Sequence, residues 1–364
     1  MSHIIEEVGC GRKDRADLPW TTSGSLRLMC AGSSRIMRRL TLWNIREVAV
    51  GLSAALAAGM DASLKLHLRI AELPGQTYHV LTLRPSFGVR FSNNFFHETW
   101  HLLTDLVGAG VLARLWWGLS YQRQRGTVIL LDTPHVVATP FEAAVAAPCL
   151  FSIAGSPTDV SLDEEHLTAL RRWLRKPGPP ATTVKLQTFG LTAELEREAR
   201  GEGDERAERQ ARIAARRALR DAEGRPLWAQ ERMSKRAGLL CYTAPPEVLR
   251  WQALAVNRLP RNLHRGMNYH SLAEHEGNRR RGDCPPQGEV QVFSDFAERR
   301  SAARQGRMLT IEDPQRRTLS ESEQARTWSA AARVLGERVA ARQQRAAQLR
   351  LRACDPDRAA LEIE

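Results

Sequence analysis

The sequence predicts an α+β protein: a mixed α/β N-terminal domain followed by a mainly helical, Arg-rich C-terminal region. Three observations carry this expectation. Helical and strand periodicities alternate through residues 1–180. The charge density then rises, from 19 basic and 15 acidic side chains in residues 1–180 to 34 and 26 in residues 181–364. Finally, a capping box opens a long helical stretch at about 321–353. The boundary falls at the Lys-Pro-Gly-Pro-Pro run ending at Pro180, where proline and glycine stop a helix and stiffen the connector.

Element by element, Ile36–Met60 reads as a helix stopped near Gly59. Leu64–Ile70 alternates apolar and polar residues without a fault, as a half-buried strand does. Pro74-Gly75 turns the chain into a partner strand at Thr77–Leu83. Ser92 is placed to cap a helix running to about Val107, closed by Gly108 and Gly110, and a second helical stretch covers Val111–Tyr121. Thr127–Leu131 is a short apolar run, expected as a buried strand ending at Asp132, and Pro148–Ile153 reads as another. Two capping boxes, Thr139–Glu142 and Ser161–Glu164, each predict a helix. The second helix carries acids in its first turn and Arg171, Arg172 and Arg175 near its end, in the sense the macrodipole favours.

Beyond residue 180, Asp204–Glu223 has Glu205/Arg209 and Glu208/Arg212 at helical i,i+4 spacing. Glu289–Phe293 reads as a short strand. In the last helix, Ser320 and Glu323 form the box. Trp328, Ala332, Leu335, Val339, Arg342, Ala346 and Leu349 recur at spacings of four and three, the period of a helix packed lengthwise on another. Trp328 and Leu335 are the expected anchors, on the chain's own domain or on a protein partner.

The 364 residues suffice for two domains, and 43% hydrophobic content supports a sizeable core. The net charge of +12 favours acidic partners such as DNA or RNA, although only five of the 53 basic residues are lysines, a bias that base composition alone can produce. Six scattered cysteines form no CxxC pair, which points to a reducing, cytoplasmic location without a disulfide framework. The N-terminal ten residues, with Glu6 and Glu7, do not read as a signal peptide. No apolar run suits a membrane span, so no membrane partner is expected. A P-loop, a GxGxxG dinucleotide loop and a GxSxG elbow are all absent.

Two constellations stand out. His97-Glu98-Thr99-Trp100-His101 is an HExxH string. On a helix its histidines would sit one turn apart and hold zinc, with Glu98 as the general base of a metallopeptidase and Glu142 as the best-placed third ligand. An amphipathic surface helix that happens to contain two histidines gives the same string. The other constellation is Arg258, Arg261, Arg265, Arg279, Arg280 and Arg281, interleaved with Tyr269 and histidines, a composition suited to phosphate contact and base stacking. The reading favoured is a nucleic-acid-associated, non-enzymatic basic protein contacting phosphates through Arg-rich C-terminal segments, with no cofactor. The alternatives are a zinc metallopeptidase on His97, Glu98 and His101, and a helical scaffold or interaction subunit; the enzyme question stays open at this point.

Overall fold

The structure, a computed structural model, describes residues 63–73, 75–155, 162–175, 182–199, 226–263, 266–272, 288–316 and 318–353, with single positions at 210, 214, 218, 220 and 224. The expected helix over Ile36–Met60 lies outside the described residues, as does most of Asp204–Glu223. The described part is α+β, with two mixed sheets and six α-helices.

The strands are β1 (Ser63–Leu73), β2 (Gln76–Leu83), β3 (Phe91–Phe96), β4 (Thr99–Thr104), β5 (Thr127–Leu131), β6 (Cys149–Ile153), β7 (Thr182–Gln187), β8 (Arg232–Arg236), β9 (Leu239–Ala244), β10 (Met267–Leu272) and β11 (Gly288–Phe293). The helices are α1 (Leu106–Leu119), α2 (Glu164–Leu174), α3 (Leu191–Ala199), α4 (Pro246–Arg258), α5 (Phe296–Thr310) and α6 (Glu321–Ala353). The larger sheet runs β7-β1-β2-β5-β6-β9-β8 and the smaller β10-β11-β4-β3. Each sheet draws strands from both sides of residue 180, and residues 181–364 contribute five strands as well as helices.

Five layers result. On one face of the larger sheet, Tyr78, Val80, Val128, Leu130, Leu150 and Leu239 pack with Leu167 and Leu170 of α2. On its other face, Leu66, Leu81, Ile129 and Phe151 meet α1 and α4. That second core also takes in Leu102, Leu272, Val290 and Val292 from the smaller sheet, so α1 and α4 lie between the sheets. Ten of the fourteen residues of α1 are buried, as a helix apolar nearly all round requires. Its N-cap is Asp105, whose carboxylate accepts from Gly108 N at 2.7 Å, so Gly108 and Gly110 start this helix rather than close one. The five residues of β5 are all buried because both its faces are covered.

On the outer face of the smaller sheet, Leu103 and Phe293 meet Phe296 of α5, with Phe141 against them. Helix α6 lies antiparallel on α5 at a crossing only glycine permits. A Cβ on Gly306 would lie 2.7 Å from Ala331 N and 2.9 Å from Thr327 O. Thr327, Ala330, Ala331 and Val334 form the buried seam. The expected seam is therefore rotated by about one residue: Trp328 is 40% exposed and Leu349 is 66% exposed. The predicted capping box is present, with Ser320 N donating to Glu323 Oε2 at 2.8 Å and Glu323 N to Ser320 Oγ at 3.4 Å. No helix among the described residues is long and apolar enough to cross a membrane.

Two expectations are corrected. Ser92–Val107 is not a helix but the β3–β4 hairpin followed by the start of α1. The expected box at Thr139–Glu142 starts no helix either; Thr139 instead exchanges main-chain and side-chain hydrogen bonds with Ala144 around Ala143, at φ 53°. The carbonyls of Glu142 and Ala143 accept from the buried guanidinium of Arg307, which also takes those of Pro314 and Arg316, so a tertiary clamp replaces the helical hydrogen bonds.

Candidate nucleic-acid interface

The HExxH string sits across the hairpin. Phe96 pairs with Thr99, and His97 and Glu98 form the two-residue connection at φ 48° and 60°. Positive φ at both positions is what a type I′ turn needs, and that turn ordinarily takes Asn-Gly. With His97 at the turn and His101 in β4, the one-turn helical spacing behind the zinc reading is absent. His101 instead pairs across the hairpin with Asn94, its Nδ1 3.1 Å from Asn94 Oδ1, while its Nε2 lies 3.7 Å from Glu289 Oε2 on β11. Burial, and then the charge of His97, push the His101 imidazole down to about 4, so it is neutral at pH 7. Glu142 is remote in role: burial raises its carboxyl pKa, with Thr139 and Arg307 opposing. Among the described residues no group of three or more His, Cys, Asp or Glu is arranged to hold a metal ion.

Of the six predicted arginines, Arg258 ends α4 and Arg261 follows in the short 3₁₀ turn Leu259–Asn262. Burial, with the Arg261 charge beside it, lowers Arg258 to about 10. Arg261 is exposed. Arg265, Arg279, Arg280 and Arg281 lie outside the described residues. The strand ends on either side of residues 273–287 are informative even so. Leu272 pairs with Gly288, and Gly288 pairs with Trp100 in the parallel β11–β4 ladder. The β10–β11 connection, which carries Arg279–Arg281 in sequence, thus leaves the smaller sheet at the same end as the His97–Glu98 turn.

The outer face of that sheet follows from its registers. One cross-strand row is Tyr269, Gln291, Leu103 and Ser92; the next is Ser271, Glu289, His101 and Asn94. Met267 and Phe293 precede them, and Thr99 and Phe96 follow. Phe141, α5 and α6 cover the Leu103 and Phe293 part. Toward β10 the face is exposed among the described residues, with Tyr269 57% and Met267 37% exposed and Gln291 and Glu289 of β11 half-buried. Phe96, 38% exposed, forms the far wall with Trp328 at 5.2 Å between ring centroids, and the His97 ring lies on it at 3.9 Å.

Sequence reasoning missed this face because its membership depends on strand pairing. It also missed a basic trio. Burial, then the charges of Arg304 and Arg90, lower the pKa of Arg300, whose guanidinium lies 5.9 Å from the Phe296 ring centre. The i,i+4 spacing of Arg300 and Arg304 was a readable signal; the approach of Arg90 was not. In comparisons with known proteins, no family, no curated protein and no solved structure matches this chain.

Proposed function

We propose that the chain is a nucleic-acid-associated basic protein, non-enzymatic, whose Arg-rich C-terminal segments contact phosphates. One observation carries the reading. In the outer half of α6 every residue from 341 to 349 is exposed, and from Arg338 to Ala353 the sequence has five arginines and no acidic residue. Arg342 is tied back to Glu298 of α5 at 2.9 Å. Arg345 is exposed, one turn further along the same stripe. An exposed arginine stripe offers planar, permanently charged donors to phosphate oxygens, and little desolvation opposes contact. Arg261 and the 279–281 arginines add to the same field within a chain of net charge +12.

The test is fluorescence anisotropy of the full chain with labelled oligonucleotides at low salt, for the native protein and two triple variants. One variant replaces Arg345, Arg350 and Arg352 by alanine; the other replaces Arg279, Arg280 and Arg281. Each is expected to weaken binding to single strands and duplexes alike, because phosphate contacts carry no base information. Absence of binding at about 50 mM salt, or affinity indifferent to both sets, overturns the reading.

A further inference from the structure

We infer that the exposed β10 side of the smaller sheet's outer face receives unpaired bases of a single-stranded nucleic acid, with Tyr269 as the stacking platform and Phe96 with Trp328 as the far wall. This rests on the nucleic-acid reading above and goes beyond it, since phosphate contact alone does not distinguish a single strand from a duplex.

The chemistry of the face selects this ligand. Tyr269 projects from edge strand β10 and is 57% exposed. Its neighbours in the register are polar: Gln291 beside it, then Ser271 and Glu289 in the next row. Glu289 accepts from Gln291 Nε2 at 3.1 Å through Oε2. An apolar protein surface laid here would cover the Tyr269 ring only by stripping water from that carboxylate and amide, an unfavourable exchange. A nucleobase satisfies both demands, with a π face for the ring and an edge of donors and acceptors for Gln291, Ser271 and Glu289. A duplex has no π face free for the ring, because its bases are stacked, and shows only its groove edges.

The dimensions agree. Tyr269 and Phe96 stand three strands and two rows apart, roughly 20 Å at ordinary strand spacing, which is the reach of a short run of nucleotides. Between them lies the polar row of Glu289, His101 and Asn94, with the two imidazole nitrogens of His101 already facing Asn94 and Glu289. His101 is thus a fixed part of the floor rather than a group free to do chemistry. The strand can enter from the sheet end where the His97–Glu98 turn stands.

The experiment compares a labelled 12-nucleotide single strand with a 12-base-pair duplex on the full chain, for the native protein, Tyr269→Ala, Tyr269→Phe and the Arg345/Arg350/Arg352 alanine variant. Tyr269 is exposed, so its replacement leaves the core intact. Tyr269→Ala is expected to weaken single-strand binding about tenfold, the loss of one stacked base, and to leave duplex binding unchanged. Tyr269→Phe keeps the ring and is expected to retain native affinity, whereas the arginine variant weakens both ligands. A single strand carrying 5-iodouridine is expected to crosslink to Tyr269 on irradiation. If both ligands bind and Tyr269→Ala affects neither, or if the duplex binds better, this inference fails while the phosphate reading stands. If neither ligand binds, both fail.

Discussion

Replacing Gly306 by alanine isolates the α5–α6 crossing. In a helix interior this change normally stabilises by about 1 kcal/mol through propensity alone. Here the new Cβ would lie 2.7 Å from Ala331 N, 2.9 Å from Thr327 O and 3.0 Å from Ala331 Cα, against the 3.4 Å at which ordinary contact begins. These are backbone atoms of a rigid helix and cannot rotate aside, so α6 must move off α5. That movement loosens the Thr310–Thr327 hydroxyl contact at 3.0 Å and the Arg338–Gln305 hydrogen bond at 2.8 Å. Overpacking of this kind costs about 1–3 kcal/mol, which cancels or outweighs the propensity gain and leaves a net loss of about 0–2 kcal/mol. Gly336 is the internal control: it lies in α6, where an added methyl would meet nothing within 4 Å, so Gly336→Ala should stabilise by about 1 kcal/mol. Urea unfolding of the two variants, compared at unchanged m, reads both effects. Equal stabilisation by the two alanines would refute the close crossing.

Hydrogen exchange should show strong protection over residues 327–335 and fast exchange over 341–353, since the buried seam ends near Leu335; uniform behaviour along α6 would contradict this packing. The Ser320 N–H, and then its hydroxyl, hold the Glu323 carboxyl down to about 2, below its ordinary 4.5. Its stabilisation of the α6 start is therefore full above about pH 4.5 and lost as pH falls toward 2, a dependence that Glu323→Gln should flatten in acid unfolding curves. His101 has the opposite charge type. Its folded pKa of about 4 lies below the ordinary 6.5, so stability is greatest above pH 6.5 and falls as pH drops through that interval. Titration of its ring protons by NMR should give a midpoint near 4, and a midpoint near 6.5 would show the ring to be solvated.

Much of the fold was legible where one local signal dominated. The alternation in Leu64–Ile70 became β1, the apolar run Thr127–Leu131 became β5, and Glu289–Phe293 became β11. The helix starting at Glu164 and the box at Ser320 both formed where local capping chemistry predicted; Asp163 caps the first, and Ser161 lies outside the described residues. The hairpin at residues 91–104 was not legible, for a physical reason. Its turn uses His97-Glu98 instead of the Asn-Gly that announces a type I′ connection, and its polar residues happen to share a helical arc. What decides the conformation is the parallel pairing of β4 with β11, nearly two hundred residues away in sequence, which no local pattern encodes. Likewise Gly306 sets the phase of the α6 seam from another helix, so the periodicity predicted docking but placed its anchors about one residue off. The candidate site was legible only as composition. Arg258 and Arg261 do come together, whereas the face bearing Tyr269, Gln291, Phe96 and Trp328 exists only once strands are paired.

The salt dependence of binding tests the central claim most directly. With a single-stranded oligonucleotide and the full native chain, log K should fall linearly with log salt, by about 0.7 for each phosphate contacted. Alanine at Arg345, Arg350 and Arg352 should flatten that slope by about 2 if each meets one phosphate. A slope near zero, or a slope unchanged from native both in this variant and in the one with alanine at Arg279, Arg280 and Arg281, would contradict an arginine–phosphate interface in the C-terminal half of this chain.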